Sequence, residues 1–232
     1  MKAMILAAGR GERMRPLTDT CPKPLLAVAG KPLIVRHIER LAAAGIVDLV
    51  INHAHLGHML EAALGDGAAC GVHIRFSPEP PGALETAGGI RQAMQFLGDD
   101  PFVVINGDVF CDADLKALAA KAGTLSATGD LAHLLLIDNP EHHPQGDFAL
   151  LDGRVLDGRE PRLTFSGLAA YHPKIFANIE AGQHARLAPQ LRAAMAEDRV
   201  SGEHYRGRWV DVGTPQRLAA LDARLRDEAS GK

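Results

Sequence analysis

A glycine-rich, basic segment near the N-terminus contains residue types that could bind phosphate groups. An apolar run leads into Gly9, Gly11 and Arg13, and Lys23 follows between two prolines. Glycines let backbone N–H groups approach an anion closely, and cationic side chains neutralise its charge. The spacing differs from a Rossmann fingerprint, since Met14 stands where the third glycine belongs, and no Gly-Lys-Ser/Thr of a Walker loop follows. We expect Arg13 and Lys23 to meet one polyphosphate at the end of the first strand.

Two aspartates far downstream could supply oxygen ligands to a metal ion. Asp108 ends an apolar run, and Asp211 lies between two valines just before a Gly-Thr-Pro sequence. Magnesium takes hard oxygen ligands and keeps several waters, so one or two carboxylates and phosphate oxygens are enough. Each aspartate has a structural alternative, as a strand-ending turn for Asp108 and as a turn before a helix for Asp211. Because successive side chains of a strand point to opposite faces, we expect the Asp211 side chain to point away from its valine neighbours and across the edge of the sheet.

Alternating strand and helix patterns would bring these residues to one edge of a sheet. Strand-like apolar runs occupy residues 3–8, 48–52, 72–76 and 102–106. One helix pattern between them begins at Pro32, and a second is predicted to be capped by Thr86. This order predicts an α/β class, with a Rossmann-like, mostly parallel mixed sheet flanked by helices. Right-handed crossovers put the carboxyl ends of the strands at one edge, where Gly9 and Asp108 fall.

The second half of the chain has a different pattern, which predicts a small antiparallel extension of the sheet. The predicted elements are strands at 131–137, 163–171 and 209–212, a hairpin about Asp152-Gly153, helices around Ile175 and at 188–196, and a terminal helix bearing Leu218, Leu221 and Leu225. No linker or low-complexity tract separates the halves. We therefore predict one domain over residues 1–232.

Composition and charge narrow the classes of partner. A net charge of −3 without a basic stripe argues against a nucleic-acid surface and favours small substrates. The three cysteines are widely spaced, which fits neither a disulfide framework nor a zinc site and favours a reducing compartment. No apolar run approaches the roughly 20 residues that span a bilayer, and no room is left for a signal peptide. We expect a soluble, cytoplasmic monomer or simple homo-oligomer with no membrane partner.

The histidine-rich stretches are a possible exception to this simple picture. Residues 53, 55 and 58, and the pair at 142 and 143, are histidines, but no further ligand has the spacing of a zinc site. We expect ordinary surface or polar-core histidines. Substrate contact is the alternative for His53 and His143.

The N-terminal motif resembles the signature of the sugar nucleotidyltransferases. Residues 6–18 read Leu-Ala-Ala-Gly-x-Gly-x-Arg-x-x-Pro-x-Thr, and residues 22–24 read Pro-Lys-Pro, as in that family. These enzymes join a sugar 1-phosphate to a nucleoside triphosphate and release pyrophosphate. Asp108 stands at the family's Asn/Asp-Gly-Asp, and Asp211 stands at its Trp-x-Asp-x-Gly-Thr, whose aspartate completes a Mg²⁺ site. The resemblance therefore implies that Asp108 and Asp211 jointly bind Mg²⁺, with Mn²⁺ as an alternative.

The resemblance also implies how the catalytic residues divide the reaction. A sugar 1-phosphate is largely dianionic near pH 7, since the second pKa of a phosphate is about 6, and can attack the α-phosphorus without a general base. Arg13 would hold the leaving phosphates, and Lys23 would draw the sugar phosphate towards the α-phosphate. The residues expected to contact the nucleotide are Leu6, Ala8, Gly9, Gly11, Arg13, Gly82, Ala83, Gly88 and Asn106. Gly88 has an alternative role as a tight packing point between a helix and the sheet.

Segments of the second half resemble one branch of the family, which transfers UMP from UTP to N-acetylmuramate 1-phosphate in bacterial cell-wall recycling. The segments are residues 138–148, 163–167 and 200–207. This likeness implies that about residues 1–110 bind the nucleotide and about residues 111–232 bind the sugar. A guanylyltransferase acting on a mannose-, heptose- or other hexose-type 1-phosphate, or a non-catalytic nucleotide-sugar sensor, is the alternative.

The same likeness implies the residues of the sugar pocket. Gly146, Asp147 and Gly167 are expected to line it. Glu160 is a weaker candidate, because the family's Glu-Lys-Pro lacks its lysine here. The lactyl carboxylate of the sugar needs a cation or N–H donors, and Arg206 is the candidate.

Overall fold

A nine-stranded mixed sheet forms the centre of the molecule. The computed structural model describes residues 1–231. The strands are β1 (Lys2–Leu6), β2 (Ala27–Val28), β3 (Lys31–Pro32), β4 (Asp48–His53), β5 (His73–Pro78), β6 (Phe102–Asn106), β7 (Val109–Cys111), β8 (Ala132–Ile137), β9 (Phe148–Leu151), β10 (Arg154–Leu156), β11 (Arg162–Tyr171), β12 (Val200–His204) and β13 (Trp209–Asp211). The α-helices are α1 (Leu33–Ala43), α2 (Gly57–Leu64), α3 (Glu85–Leu97), α4 (Leu115–Thr128), α5 (Leu187–Ala196) and α6 (Pro215–Ser230).

Strand order and direction bring several strand ends to one edge of the sheet. The order is β5-β4-β1-β6-β11-β8-β12-β10-β9. Strands β5, β4, β1 and β6 are parallel neighbours, and β10 and β11 run opposite to the other strands of this sheet. The predicted mostly parallel mixed sheet is therefore confirmed. The carboxyl ends of β4, β1 and β6 lie side by side, so the loops that follow them share one edge.

Two hydrophobic cores lie on opposite faces of the sheet, because successive residues of a strand point to opposite sides. Ile5 packs on one face with helices α1, α2 and α4, whereas Met4 packs on the other face with α3 and α5. Central strands covered on both faces must be apolar throughout, which explains the continuous apolar runs in the sequence. A third cluster joins Val28 and Val212 to Leu221 of α6. This cluster anchors α6 next to β13, the strand that ends at Asp211.

Most predicted elements are present, but the start of α3 differs from the prediction. The helix begins at Glu85, and Thr86 does not cap it. The backbone N–H groups of Ala87 and Gly88 instead each donate to the carbonyl of Ala185, at 3.0 Å. A segment from the second half of the chain therefore satisfies the first turn of this helix.

The second half extends the sheet with strands of both directions. The hairpin β9–β10 and strand β11 are antiparallel as expected, whereas β12 pairs with β8 in parallel. Helix α4 was not predicted, although Asp114 caps it by accepting hydrogen bonds from the N–H groups of Lys116 and Ala117. Strand β6 pairs with β11, so both predicted halves of the chain share one sheet. That the chain forms one domain over residues 1–232 stays a prediction. No helix within residues 1–231 is long and apolar enough to cross a lipid bilayer.

Candidate active site

The predicted phosphate-binding lysine and the first predicted metal ligand are in direct contact. Lys23 Nζ lies 2.6 Å from Asp108 Oδ2. Lys23 begins a 3-10 turn after Pro22, and its side chain is only 10% exposed, whereas that of Asp108 is 38% exposed. A charge held in partly desolvated surroundings interacts more strongly than one in bulk water. The lysine is thus fixed at the sheet edge, and the carboxylate remains accessible to a ligand.

A short antiparallel ladder brings the second predicted metal ligand beside the first. Strand β13 pairs with β7 so that Asp211 lies opposite Val109, and the N–H of Val212 donates to the carbonyl of Asp108 at 2.9 Å. Both aspartates line one cavity of about 390 Å³, which we call the aspartate cavity. Arg13 lines the same cavity. Three of the four predicted catalytic residues therefore converge there, and Lys23 reaches it through Asp108.

An arginine and a histidine lie beside Asp211. Its Oδ2 lies 3.1 Å from Arg217 Nη1 and 3.4 Å from His142 Nε2. A Cβ at Gly213 would lie 2.6 Å from Arg217 Nη2, 2.8 Å from Asp211 Oδ1 and 3.0 Å from Arg13 Nη2. The absence of a side chain at Gly213 therefore leaves room for the ends of these three side chains to approach one another.

The donor chemistry of the aspartate cavity fits a hard divalent cation. Two carboxylates face it, which is what a Mg²⁺ ion bound mainly by phosphate and water oxygens requires. Within residues 1–231, no group of three or more histidines, cysteines, aspartates or glutamates is arranged to hold a metal. Asp108 and Asp211 would supply two oxygen ligands to such a cation, and water and phosphate oxygens would supply the others.

A second cavity follows the glycine-rich loop and reaches Asp108. This glycine-loop cavity has a volume of about 350 Å³. The predicted nucleotide contacts that line it, together with Lys23 and Asp108, are Leu6, Ala8, Gly9, Gly82, Ala83 and Asn106. Gly82 and Ala83 both have positive φ, at 99° and 57°. A non-glycine residue in this conformation is strained, and such strain is concentrated at ligand sites.

A buried polar network at the base of the glycine-loop cavity was not predicted. Asn52 Oδ1 accepts from the N–H of Ala7 at 2.8 Å, and Asn52 Nδ2 donates to Glu79 Oε1 at 2.6 Å. Glu79 Oε2 accepts from the N–H of Leu84 at 2.7 Å. A Cβ at Gly89 would lie 2.3 Å from Glu79 Oε1, so this glycine makes room for the carboxylate. The available signal was a polar residue, Asn52, at the end of an otherwise apolar strand.

A third cavity, of about 300 Å³, lies between the sheet and helix α5. We call it the α5 cavity; its lining includes Thr86, Asn106, Asp147, Phe165 and Arg186. All three cavities share Asn106, and the aspartate and glycine-loop cavities also share Asp108. The glycine-loop cavity and the α5 cavity thus provide two binding spaces on either side of a centre that contains Lys23 and Asp108.

Comparison with known proteins identifies the family. The model of the nucleotidyl transferase family matches residues 2–149. The chain belongs to this family. It is 57% identical to the N-acetylmuramate alpha-1-phosphate uridylyltransferase of Neisseria meningitidis serogroup B, over 96% of this chain and 97% of the relative. It is 37% identical to the enzyme of the same name from Caulobacter vibrioides, over 96% of each chain.

A solved structure supports the fold of this nucleotidyl transferase. The structure of a glucose-1-phosphate thymidylyltransferase from Bacillus anthracis superposes with a TM-score of 0.84 at 24% identity, and the match covers 98% of this chain and 96% of that one. At this level of identity the likeness concerns the fold alone. The predicted α/β nucleotidyltransferase fold is confirmed.

Three predicted nucleotide contacts of the nucleotidyl transferase lie outside the lining of the glycine-loop cavity: Arg13, which lines the aspartate cavity, and the glycines at 11 and 88. Gly11 has φ of +70°, and a Cβ there would lie 2.9 Å from Thr18 Cγ2, so it shapes the loop. A Cβ at Gly88 would lie 2.3 Å from the carbonyl oxygen of Gln183. The geometry favours the packing alternative for Gly88, because α3 meets the chain segment before α5 at this point.

Among the predicted sugar contacts, Asp147 faces one of the three cavities, whereas Gly146 and Gly167 do not. Asp147 lines the α5 cavity, accepts from the N–H of Phe165 at 2.8 Å and lies 3.1 Å from His143 Nε2. Gly146 and Gly167 both have positive φ and line none of the three cavities. A Cβ at Gly167 would lie 2.6 Å from Asn106 Nδ2, so this glycine leaves room for the residue that the three cavities share.

Three further candidates do not join the site. Glu160 lies in a separate cleft, is mostly exposed and pairs with Arg162 at 3.1 Å. Arg206 follows β12 at the surface and is absent from the lining of the three cavities. His53 is buried 2.8 Å from Glu61, which fits the expected polar-core role rather than substrate contact.

A buried histidine of the nucleotidyl transferase lies behind Asp108. His37, on α1, is nearly inaccessible to solvent. Burial lowers the pKa of His37 to about 4, and the nearby charge of Arg40 acts in the same direction. The imidazole is therefore neutral at pH 7, and the site gains no additional positive charge from it.

Proposed function

We propose that this protein transfers UMP from UTP to N-acetylmuramate 1-phosphate, giving UDP-N-acetylmuramate and pyrophosphate, as a step of cell-wall recycling. The observation that carries the proposal is the junction at Asn106 and Asp108, where the glycine-loop and aspartate cavities meet a cationic and acidic centre. The 57% identical relative supports the choice of substrates, because the match extends over both halves of the chain.

The proposed reaction requires charge neutralisation rather than proton transfer. A phosphate oxygen of the sugar 1-phosphate forms a bond to the α-phosphorus of UTP. The bond from that phosphorus to the bridging oxygen breaks, and pyrophosphate leaves with the electron pair. No proton must move, since the attacking phosphate is already largely a dianion near pH 7.

The residues divide this work by position. Lys23, fixed beside Asp108, draws the sugar phosphate and the α-phosphate together, whereas Arg13 in the aspartate cavity holds the β- and γ-phosphates. Asp108 and Asp211 would hold Mg²⁺, with Mn²⁺ as an alternative. The metal would stabilise the negative charge on the transferring phosphoryl group.

The binding spaces on either side of this centre take the two substrates. The uracil end of UTP lies in the glycine-loop cavity, where backbone groups at Gly82 and Ala83 contact the base. The sugar lies between the aspartate cavity and the α5 cavity, with Asn106 and Asp147 as hydrogen-bonding partners. We further propose that the enzyme acts in the cytoplasm as a monomer or simple homo-oligomer.

A substrate matrix tests the proposal. Pyrophosphate release is measured with UTP, GTP, CTP and dTTP against the 1-phosphates of N-acetylmuramate, N-acetylglucosamine and mannose. We expect the highest kcat/KM with UTP and N-acetylmuramate 1-phosphate. A higher value with GTP and mannose 1-phosphate would establish the guanylyltransferase alternative, and an absence of turnover with every pair would establish a binding protein.

A further inference from the structure

The α5 cavity combines an apolar wall with a single strongly basic side chain. Its apolar residues are Phe148, Phe165, Leu187, Ala188 and Leu191. Among its described lining residues, Arg186 is the one with a permanent positive charge. The cavity joins the reaction centre through Asn106, which it shares with the aspartate and glycine-loop cavities. A ligand held at the centre by its phosphate can therefore extend a substituent into this space.

The other lysine and arginine side chains around the three cavities are either bonded to the protein or belong to the reaction centre. Lys23 is bound to Asp108 at 2.6 Å, and Arg10 donates to the carbonyl of Thr18 at 3.1 Å. Arg13 lies near Gly213 in the aspartate cavity, where the proposed function assigns it to the triphosphate, and the two histidines of that cavity each face a carboxylate. A negative substituent on the sugar would find none of these groups free without disturbing the reaction centre.

Arg186 is not bound as firmly by other residues of the protein. Its side chain is 77% exposed, and its ion pair is with Glu85, at 3.8 Å between Nε and Oε1. An exposed pair at this distance contributes little, because water screens it. The guanidinium can therefore exchange Glu85 for a ligand carboxylate, and a planar guanidinium binds a carboxylate through two parallel hydrogen bonds.

N-acetylmuramate differs from N-acetylglucosamine by a lactyl ether, which carries one methyl group and one carboxylate. We propose that Arg186 binds the lactyl carboxylate, so that this residue selects N-acetylmuramate 1-phosphate over N-acetylglucosamine 1-phosphate. The apolar wall formed by Leu187 and Leu191 accepts the lactyl methyl group. The inference rests on the proposed function and replaces Arg206 as the candidate cation.

The test compares two sugar phosphates with four forms of the enzyme. For wild type, Arg186→Gln, Arg186→Lys and Arg192→Gln, kcat/KM is measured with UTP and either N-acetylmuramate or N-acetylglucosamine 1-phosphate. Arg192 is the matched control, since it lies on α5, the helix that Arg186 immediately precedes, is exposed, pairs with Asp157 and lines none of the three cavities. The ratio of the two kcat/KM values is the readout, because a general loss of folding or chemistry cancels in it.

We expect Arg186→Gln to lower this ratio about tenfold, because it removes the charge from a solvent-accessible pair of guanidinium and carboxylate. Arg186→Lys should retain part of the preference, and Arg192→Gln should retain all of it. If wild type prefers N-acetylmuramate 1-phosphate and Arg186→Gln keeps the same ratio, the assignment of Arg186 is wrong while the proposed function stands. If wild type shows no preference for N-acetylmuramate 1-phosphate, the proposed function fails, and this inference fails with it.

Discussion

The two ends of the site are built differently. At the glycine-loop cavity, polar side chains are buried and bonded to one another, as Asn52 and Glu79 show. At the α5 cavity, the charged side chains of Asp147, Glu85 and Arg186 remain at least partly exposed. A buried and fully bonded network is costly to disturb, whereas exposed groups can change partners.

This difference assigns separate tasks to the two ends. The rigid end follows β1, β4 and β6, whose central position in the sheet holds it in place. The other end is made by the loop before β9, by the bulge in β11 and by the start of α5. We expect substitutions at the first end to affect nucleotide binding in large steps, and substitutions at the second end to tune sugar choice in small steps.

The largest effect is expected at the centre that both ends share. Asp108→Asn should lower kcat by on the order of 10³-fold, because an amide binds the divalent cation that would neutralise the transferring phosphoryl group more weakly than a carboxylate does. Steady-state pyrophosphate release measures it, and thermal unfolding checks the fold. Asp99→Asn, at an exposed position, is the matched control. A kcat within a few-fold of wild type would refute the role of Asp108.

The next effect tests the rigid end. Glu79→Gln replaces one of the two accepting carboxylate oxygens with an NH2 group, which donates and cannot accept, so one buried donor loses its partner. We expect KM for UTP to rise about 10- to 100-fold, with a much smaller change in KM for the sugar phosphate. Glu180→Gln, which is exposed, should change neither value. An equal rise in both KM values would show that the two ends are not separate.

A smaller effect is expected at the sugar end. Asp147→Asn should raise KM for the sugar 1-phosphate by about tenfold, since the carboxylate holds both His143 and the N–H of Phe165. KM for UTP should stay near its wild-type value. Initial rates at saturating concentrations of the second substrate separate the two constants. A selective rise in KM for UTP would contradict the assignment of the α5 cavity to the sugar.

The smallest effect concerns stability behind the rigid end. His37 has its pKa lowered to about 4 by burial, so the unfolded chain binds a proton at higher pH than the folded protein does. The contribution of His37 to the free energy of unfolding is complete above about pH 6.5, and it is lost as the pH falls towards 4. We expect about 1 kcal/mol of this contribution to disappear between pH 7 and pH 5.5.

Urea unfolding at several pH values measures that loss. His37→Leu should show a shallower decline in unfolding free energy with falling pH, whereas His58→Leu, at an exposed position, should follow wild type. Parallel curves for all three proteins would show that His37 is not protonated differently in the two states.

The sequence predicted which strand ends meet at one edge of the sheet better than it predicted the side chains that complete the site at that edge. Apolar runs fix which segments become central strands, and the residues that follow them must then meet at one edge. For this reason Lys23 and Asp108 could be placed together although 85 positions separate them. The roles of these residues in the reaction stay predictions.

Glycines were harder to interpret, because the sequence does not show why a side chain is absent. Gly146 and Gly167 stay predicted sugar contacts, and both also have positive φ, which favours glycine with or without a ligand. The side chains of Arg13 and Arg217 come together beside Gly213 because β13 pairs with β7. Contacts of this kind depend on tertiary packing, so local sequence patterns could not have revealed them.

The central claim is that Asp108 and Asp211 hold one divalent cation together with the triphosphate. Electron paramagnetic resonance of Mn²⁺, titrated with a non-hydrolysable UTP analogue present, tests it most directly. The account predicts one tightly bound Mn²⁺ in wild type and in Asp99→Asn, with affinity at least about tenfold weaker in Asp108→Asn and in Asp211→Asn. Equal Mn²⁺ affinity in all four proteins would contradict it.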